Sequence, residues 1–201
     1  MRRVCVYAGS NPGSHPAYAD AARALAQLLA ERGIGLVFGG SNVGLMGILA
    51  DTALAAGGEV IGVMPQALVD REIAHRGLTE LRIVDSMHER KALMADLSDA
   101  FVAVPGGIGT LEELIEVYTW SQLGIHEKPC GVLNVRGYYD GLAGFLDHAV
   151  EEGFLRPQHR AVLSVAADPA ELLEHLAAYV PPTVGKWLEL EGAPPEAGGA
   201  P

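Results

Sequence analysis

The stretch Ala100–Val117, AFVAVPGGIGTLEELIEV, contains a strand, a glycine-rich loop and the first turns of a helix. Residues 100–104 are all apolar and do not alternate with polar residues, which is typical of a strand buried on both faces of a sheet. The glycines at 106 and 107 then end the strand, and a helical pattern follows from about Thr110 to Leu123. The stretch therefore predicts one strand–loop–helix unit of a parallel sheet.

The same unit recurs along the chain, with apolar runs VCVYA at 4–8, LVFG at 36–39 and VIGVM at 60–64. Strands alternating with longer helical patterns predict an α/β fold: a Rossmann-like, doubly wound, mainly parallel sheet of about seven strands with helices on both faces. The predicted strands are Val4–Ala8, Gly35–Phe38, Val60–Met64, Leu81–Val84, Ala100–Val104, Cys130–Asn134 and Ala161–Val165, and the predicted helices are Tyr18–Arg32, Leu45–Ala56, Met87–Leu97, Thr110–Leu123, Tyr139–Glu152 and Pro169–Ala178.

Length and charge limit the domain count and the classes of partner. The chain of 201 residues predicts a single domain over 1–180 and a C-terminal extension over 181–201, whose last part we expect to be disordered. The formal net charge of −11 argues against a surface for nucleic acid or for acidic lipid, since both require clustered Lys and Arg. A small phosphate ester stays compatible with this charge, because backbone N–H groups and one or two local cations are enough to bind it.

Cysteine and histidine usage predicts no metal site and no disulfide framework. Cys5 and Cys130 each lie within an apolar strand pattern, where buried thiols are the ordinary interpretation. The seven histidines show no ligand spacing. No apolar run is long enough for a signal peptide or a membrane span, so we expect a cytoplasmic protein.

The residues that follow the predicted strands converge on one edge of the sheet. In open parallel sheets a ligand binds beyond the carboxyl ends of the strands, near the point where the strand order reverses. We therefore expect binding residues in the segments that follow the strands, namely Gly9-Ser10-Asn11, Gly39-Gly40 and the run that follows them to Gly47, Arg71-Glu72, Arg90-Lys91, and residues 105–113. The 39–47 run, GGSNVGLMG, lacks the spacing of a dinucleotide fingerprint, and close strand–helix packing is its alternative interpretation.

The loop after the fifth strand is the strongest candidate for a phosphate site. Its glycines let the backbone approach a ligand, and the helix that follows presents unpaired N–H groups at its start. Thr110 supplies a hydroxyl, and Glu113 lies on the same helix face three residues later. Glu112 is turned about 100° away, which favours a solvent-facing or structural role. The alternative is a tight strand-to-helix turn with a capping threonine.

The pair Arg90-Lys91 stands where cations are unfavourable for a helix. Ser86 and Glu89 form a capping box that predicts a helix start, so both cations fall in its first turns, where the helix dipole prefers anions. A local rule broken beside a candidate site suggests an anionic partner. Two surface cations on a solvated helix are the alternative.

These motifs together resemble the LONELY GUY family, the cytokinin riboside 5′-monophosphate phosphoribohydrolases. The family motif P-G-G-x-G-T-x-x-E is present at 105–113, after the R-K pair at 90–91. Further matching stretches are MPQALVDREIA at 64–74, GVLNVRGYY at 131–139 and the 39–47 run, so the resemblance covers roughly residues 4–165. Such proteins have also been labelled lysine decarboxylases, but no lysine here stands in a recognisable pyridoxal phosphate setting.

The resemblance implies a homodimeric hydrolase that cleaves the N-glycosidic bond of a nucleoside 5′-monophosphate without metal or cofactor. Arg90 and Glu113 would be the catalytic pair, and Thr119 would lie near the dimer seam. The substrate-binding set then comprises Glu72, Lys91, Gly107, Ile108, Gly109, Thr110, Leu111, Glu112 and Thr119 from the family, with Gly9, Ser10, Gly39 and Gly40 from their place at the strand ends. A non-catalytic nucleotide carrier on the same fold is the alternative, since fold does not determine function.

Overall fold

In a computed structural model, which describes residues 1–69 and 73–182, one seven-stranded parallel sheet runs through the molecule. The strand order is β4-β3-β2-β1-β5-β6-β7, so the direction of winding reverses between β1 and β5. The strands are β1 (Arg3–Tyr7), β2 (Gly35–Phe38), β3 (Val60–Pro65), β4 (Glu80–Val84), β5 (Ala100–Ala103), β6 (Cys130–Leu133) and β7 (Leu163–Ala166). All six pairings are parallel, which confirms the predicted doubly wound fold.

Helices cover both faces of the sheet. One core contains side chains of α1, α2 and α8, and the other contains side chains of α4, α5 and α6. The helices are α1 (Pro16–Glu31), α2 (Gly44–Ala55), α3 (Gln66–Val69), α4 (Met87–Asp96), α5 (Ile108–Gln122), α6 (Asp140–Glu151), α7 (Pro157–Arg160) and α8 (Pro169–Ala178), with a short 3₁₀ turn at Val135–Gly137. No helix in the described ranges is both long and apolar enough to cross a membrane.

Strand β1 shows why the central strands have unbroken apolar sequences. Val4 and Val6 pack in the core beneath α1 and α2, whereas Cys5 and Tyr7 point into the opposite core with α4 and α5. Successive side chains of a strand alternate between its two faces, so a strand with a core on each side needs apolar residues throughout. Cys5 and Cys130 are both buried free thiols, as predicted from their positions within strands.

The predicted boundaries were wrong where an element is short or lies at the edge of the sheet. Three short elements, α3, the 3₁₀ turn and α7, were not predicted, because four residues or fewer carry no periodicity. Helix α7 ends near Ala161, and this moves the last strand from the predicted 161–165 to 163–166. Strand β4 lies at the edge of the sheet and begins at residue 80, one residue before its predicted start. Its edge position leaves Ile83 51% exposed. Of the predicted C-terminal extension at 181–201, residues 183–201 lie outside the described residues.

Glycines of the 39–47 run allow α2 to approach the loop after β1. Gly44 has φ +58°, and a β-carbon there would overlap the backbone of Ser10. A β-carbon at Gly47 would likewise overlap the backbone of Asn42. The backbone N–H of Leu45 donates a hydrogen bond to the carbonyl of Gly9 at 3.0 Å. Close packing, the alternative interpretation of this run, is therefore a real property of these glycines.

Candidate active site

The carboxyl ends of β1 and β5 meet where the strand order reverses, and two loops are joined there by a backbone hydrogen bond. Tyr7 pairs with Ala103 at the ends of the strands. The N–H of Gly9 then donates to the carbonyl of Pro105 at 3.2 Å. Gly9 has no room for a side chain, because a β-carbon would lie 3.1 Å from the Cα of Gly106. The two loops are thus held against each other at the position where this fold class binds ligands.

Helix α5 begins in this crevice with an uncapped N-terminus. Its first residue is Ile108, and its N-cap is Gly107, which offers no side-chain oxygen to the first turn. The alternative of a helix capped by Thr110 is therefore wrong. Gly107, Ile108 and Gly109 are exposed, so the free N–H groups at the helix start face solvent and are available to an anion. Thr110 is only 5% exposed, and its side chain lies against Gly106.

Arg90 and Glu113 form a buried ion pair across α4 and α5. The distance between Nη2 of Arg90 and Oε1 of Glu113 is 3.1 Å, and their side chains are 10% and 12% exposed. Nη1 of Arg90 lies 3.7 Å from the sulfur of Met87. Any β-carbon at position 39 would overlap the Arg90 guanidinium, so Gly39 makes room for this pair at the end of β2. The Nε of Arg90 is buried and has no acceptor among residues 1–69 and 73–182.

Burial controls the acidity of Glu113. Loss of hydration disfavours the charged form of a buried carboxyl group, and this raises the pKa of Glu113 above its ordinary value. The positive charge of Arg90 opposes the rise, and Lys91 opposes it less strongly. The result is a carboxylate that is more basic than an exposed glutamate and is held next to a permanent cation.

Lys91 belongs to a separate ion cluster on the outer side of the same two helices. Its Nζ lies 2.6 Å from Oε1 of Glu112 and 2.9 Å from Oε1 of Glu116. The two cations in the first turns of α4 therefore do have anionic partners, but these are carboxylates of α5 rather than a ligand. Arg90 and Lys91 are unfavourable for the α4 dipole, but their ion pairs connect α4 to α5.

A cleft of about 270 Å³ opens beside the glycine loop. Two tyrosines form one wall, with Tyr18 of α1 and Tyr138 in edge-to-face contact at 5.8 Å between ring centroids. Its remaining lining consists of residues 9–13, Leu45 and residues 105–107. Among the described residues, the lining of this cleft includes the glycine loop but neither Arg90 nor Glu113.

The sequence matches known proteins along most of its length. A family model described as "Possible lysine decarboxylase" matches residues 46–176. A probable cytokinin riboside 5′-monophosphate phosphoribohydrolase of Oryza sativa subsp. japonica is 54% identical over 182 residues, which cover 90% of this chain and 74% of that protein. A cytokinin riboside 5′-monophosphate phosphoribohydrolase of Arabidopsis thaliana is 51% identical over 181 residues, covering 90% and 85%. The chain belongs to the LONELY GUY family.

Solved structures with the same fold are more distant from this LONELY GUY protein in sequence. The molybdenum cofactor carrier protein of Chlamydomonas reinhardtii has a TM-score of 0.67 at 23% identity, covering 89% of this chain and 99% of that one. A molybdenum cofactor binding protein of Rippkaea orientalis has a TM-score of 0.66 at 22% identity, covering 89% and 96%. These two structures support the fold alone.

The structure of this LONELY GUY family member brings some of the predicted site residues together and separates others. Gly9, Ser10 and Gly107 line the cleft, and Gly39 contacts the ion pair. Ile108 is 83% exposed and Leu111 is half-buried. Gly40 is buried, and its carbonyl accepts the N–H of His75, whereas Thr119 is exposed and donates its hydroxyl to the carbonyl of Ile115 in its own helix. Glu72 lies outside the described residues.

Sequence reasoning missed the two tyrosines of the cleft, Tyr18 and Tyr138. The sequence predicts that the adjacent Tyr138 and Tyr139, which follow the sixth strand, both pack around the crossover. Tyr139 does so, since it is only 5% exposed, but Tyr138 is 45% exposed and faces the cleft. The sequence signal that could have found Tyr138 is the stretch GVLNVRGYY at 131–139, which matches the family. It runs from β6 into the loop at the carboxyl edge of the sheet. In the parts of the chain that the structure describes, no three potential metal ligands come together.

We predict that the substitution Arg90→Met raises the pKa of Glu113 further, because it removes the strongest opposing charge from a buried carboxylate. Lys91→Met is the matched control, and its effect should have the same sign and be smaller. Carboxyl ¹³C chemical shifts of labelled glutamate, followed against pH, measure both. An unchanged or lower Glu113 pKa in Arg90→Met would contradict this account of the pair.

Proposed function

We propose that this protein hydrolyses the N-glycosidic bond of a cytokinin riboside 5′-monophosphate, giving the free base and ribose 5-phosphate. The names of the relatives that are 51–54% identical support this reaction. The observation that carries it is the buried carboxylate of Glu113, paired with Arg90 and placed about one and a half helical turns beyond an exposed, uncapped helix start. The same helix thus offers a seat for an anion and a charged group for chemistry.

The phosphate group is the natural ligand of the α5 N-terminus. Aligned backbone dipoles and unpaired N–H groups favour negative charge at a helix start. Gly107, Ile108 and Gly109 present exposed backbone there, and Thr110 adds a hydroxyl next to Gly106. Binding through a part of the substrate that does not react leaves the glycosidic bond to be held by other groups.

Glu113 and Arg90 then act on the ribosyl–base bond. Cleavage passes through an oxocarbenium-like sugar, whose positive charge an ionised carboxylate stabilises. Glu113 also orients or deprotonates the attacking water, a task for which its raised pKa suits it. The Nε of Arg90, which has no acceptor in the described part of the chain, offers a donor to the departing base, and Arg90 keeps Glu113 in place. Arginine is a poor general acid, so no proton transfer is assigned to Arg90. Water is the only co-substrate this reaction consumes.

A nucleotide carrier would use the glycine loop but has no need of a buried carboxylate beside it. Holding Glu113 and Arg90 together out of water is energetically costly. A function that uses the charged pair explains that cost, which favours the hydrolase over the carrier. The preference between a plain adenine and an N6-substituted one depends on the side chains that contact the base. The relatives' names support a cytokinin base.

We also propose that the protein acts as a cytoplasmic homodimer. Large apolar side chains are exposed on the edge strand β4 and at the starts of α4 and α5, namely Ile83 at 51%, Met87 at 42% and Ile108 at 83%, and exposed apolar surface is typical of protein contacts. The two buried free thiols suit a reducing compartment. Sedimentation equilibrium at micromolar concentration should give the mass of two chains, and the mass of one chain would contradict the dimer.

The substitution Glu113→Gln should lower the rate of hydrolysis by about 10²-fold or more, because it removes the charge and the basic oxygen while keeping the shape. Nucleotide binding should persist. The control Glu151→Gln changes an exposed carboxylate on α6 and should leave the rate unchanged. Free base released from AMP and from N6-isopentenyladenosine 5′-monophosphate, separated by chromatography, measures the rate. Turnover close to that of the unsubstituted protein would remove Glu113 from the mechanism.

Thr110→Val should weaken binding of nucleoside monophosphates more than binding of the matching nucleosides, because it removes only a hydroxyl at the phosphate seat. Thr52→Val is the matched control, since the Thr52 hydroxyl donates to the carbonyl of Ile48 within its own helix, at 2.7 Å. KM values for AMP and adenosine compare the two ligand classes. Equal losses for both would place the phosphate elsewhere.

A further inference from the structure

Three consecutive carbonyl oxygens of the glycine loop are bonded to donors from other parts of the chain. The hydroxyl of Tyr139 donates to the carbonyl of Val104 at 2.8 Å. The N–H of Gly9 donates to the carbonyl of Pro105 at 3.2 Å, and the hydroxyl of Tyr138 donates to the carbonyl of Gly106 at 2.5 Å. Each oxygen therefore has a partner, and none is left to face an anion bound at the start of α5.

The turn that carries the two tyrosines is itself rigidly built. The side-chain oxygen of Asn134 accepts the N–H of Tyr139 at 2.7 Å, and its amide nitrogen donates to Asp140 at 2.7 Å. Arg136 has φ +55° and Gly137 has φ +72°, so the chain reverses sharply before the tyrosines. Their rings then stand perpendicular at 5.1 Å between centroids. This geometry sends two adjacent hydroxyls to two carbonyls of the same loop.

The Gly106–Gly107 peptide is the part of the loop that most needs such support. In a trans peptide the C=O and the following N–H point in opposite directions. A bond from Tyr138 to the carbonyl of Gly106 therefore turns the N–H of Gly107 away from Tyr138. Two adjacent glycines rotate this peptide more easily than residues with side chains. Without the Tyr138 hydroxyl, the Gly106–Gly107 peptide plane is free to rotate and to turn its carbonyl oxygen toward the anion site. That oxygen would repel a phosphate.

We propose that Tyr138 and Tyr139 are positioning residues, whose hydroxyls hold the carbonyls of Gly106 and Val104 so that the loop presents N–H groups to the substrate phosphate. The inference rests on the proposed function for the identity of the ligand. Burial does not explain why the Tyr138 hydroxyl bonds to the Gly106 carbonyl, because Tyr138 is 45% exposed and water could satisfy its hydroxyl. Tyr139, which is buried, combines the same contact with core packing.

Tyr138→Phe tests this in the Glu113→Gln background, where slow hydrolysis leaves most of the AMP intact while calorimetry measures its affinity. The substitution should lower the affinity for AMP by about 10-fold, which corresponds to the loss of one hydrogen bond to a charged group. The affinity for adenosine should change by less than about 2-fold. Tyr118→Phe is the matched control: it removes a hydroxyl that also donates to a backbone carbonyl, that of His159, away from the glycine loop. It should leave the affinity for AMP unchanged.

A crystal structure of Tyr138→Phe supplies the second measurement, which does not depend on activity. The Gly106–Gly107 peptide should be rotated or should occupy two orientations. Equal losses for AMP and adenosine, or no loss, would overturn the proposal. A loss for AMP with the peptide unmoved would also overturn it, since Tyr138 would then touch the ligand directly.

The test separates the two proposals. Failure of the unsubstituted protein to release base, combined with selective weakening of AMP by Tyr138→Phe, would end the hydrolase proposal and leave the positioning role standing. Absence of AMP binding in the Glu113→Gln parent would overturn the positioning role as stated.

Discussion

The parallel pairing of β1 with β5 is the constraint on which the site depends. It runs from Val4 opposite Ala100 to Tyr7 opposite Ala103, and places the loops after both strands side by side. The connections that leave these strands go to opposite faces of the sheet, since α1 packs in one core and α5 in the other. A crevice therefore opens between the loops, and the Gly9–Pro105 hydrogen bond forms its floor.

Central strands could be predicted from the sequence because each carries its own signal. A strand with a core on both faces must be apolar at every position, so VCVYA and AFVAV identify β1 and β5 without knowledge of their neighbours. The Arg90–Glu113 pair has no such local signal, since its members come from different helices and meet only after folding. The resemblance to a family named both residues, but their burial and contact come from the structure. Tyr138 was assigned to packing because sequence does not distinguish a tyrosine facing a cleft from one in a core.

The helix pair α4–α5 shows how a local conflict can be resolved by tertiary structure. Cations in the first turns of α4 oppose the dipole of that helix. Three carboxylates of α5, at 112, 113 and 116, compensate them across the interface. The three ion pairs differ in environment: the side chain of Glu113 is 12% exposed, that of Glu116 is 24% exposed and that of Glu112 is 52% exposed. Because screening by water weakens exposed pairs, the buried one dominates the electrostatics of the crevice.

The fold and the chemistry of this protein have separate physical origins. Unpaired N–H groups at a helix start favour an anion wherever a parallel sheet places a glycine loop and a helix at its switch point, so this feature comes with the fold and does not determine the chemistry. Cleavage of a glycosidic bond needs something further, a carboxylate held where positive charge develops on the sugar. In this chain that group is buried, its pKa is raised, and it stands on the same helix as the seat. Under the proposed function, the carboxylate of Glu113, and not the sheet, is therefore the feature that gives this architecture its hydrolytic chemistry.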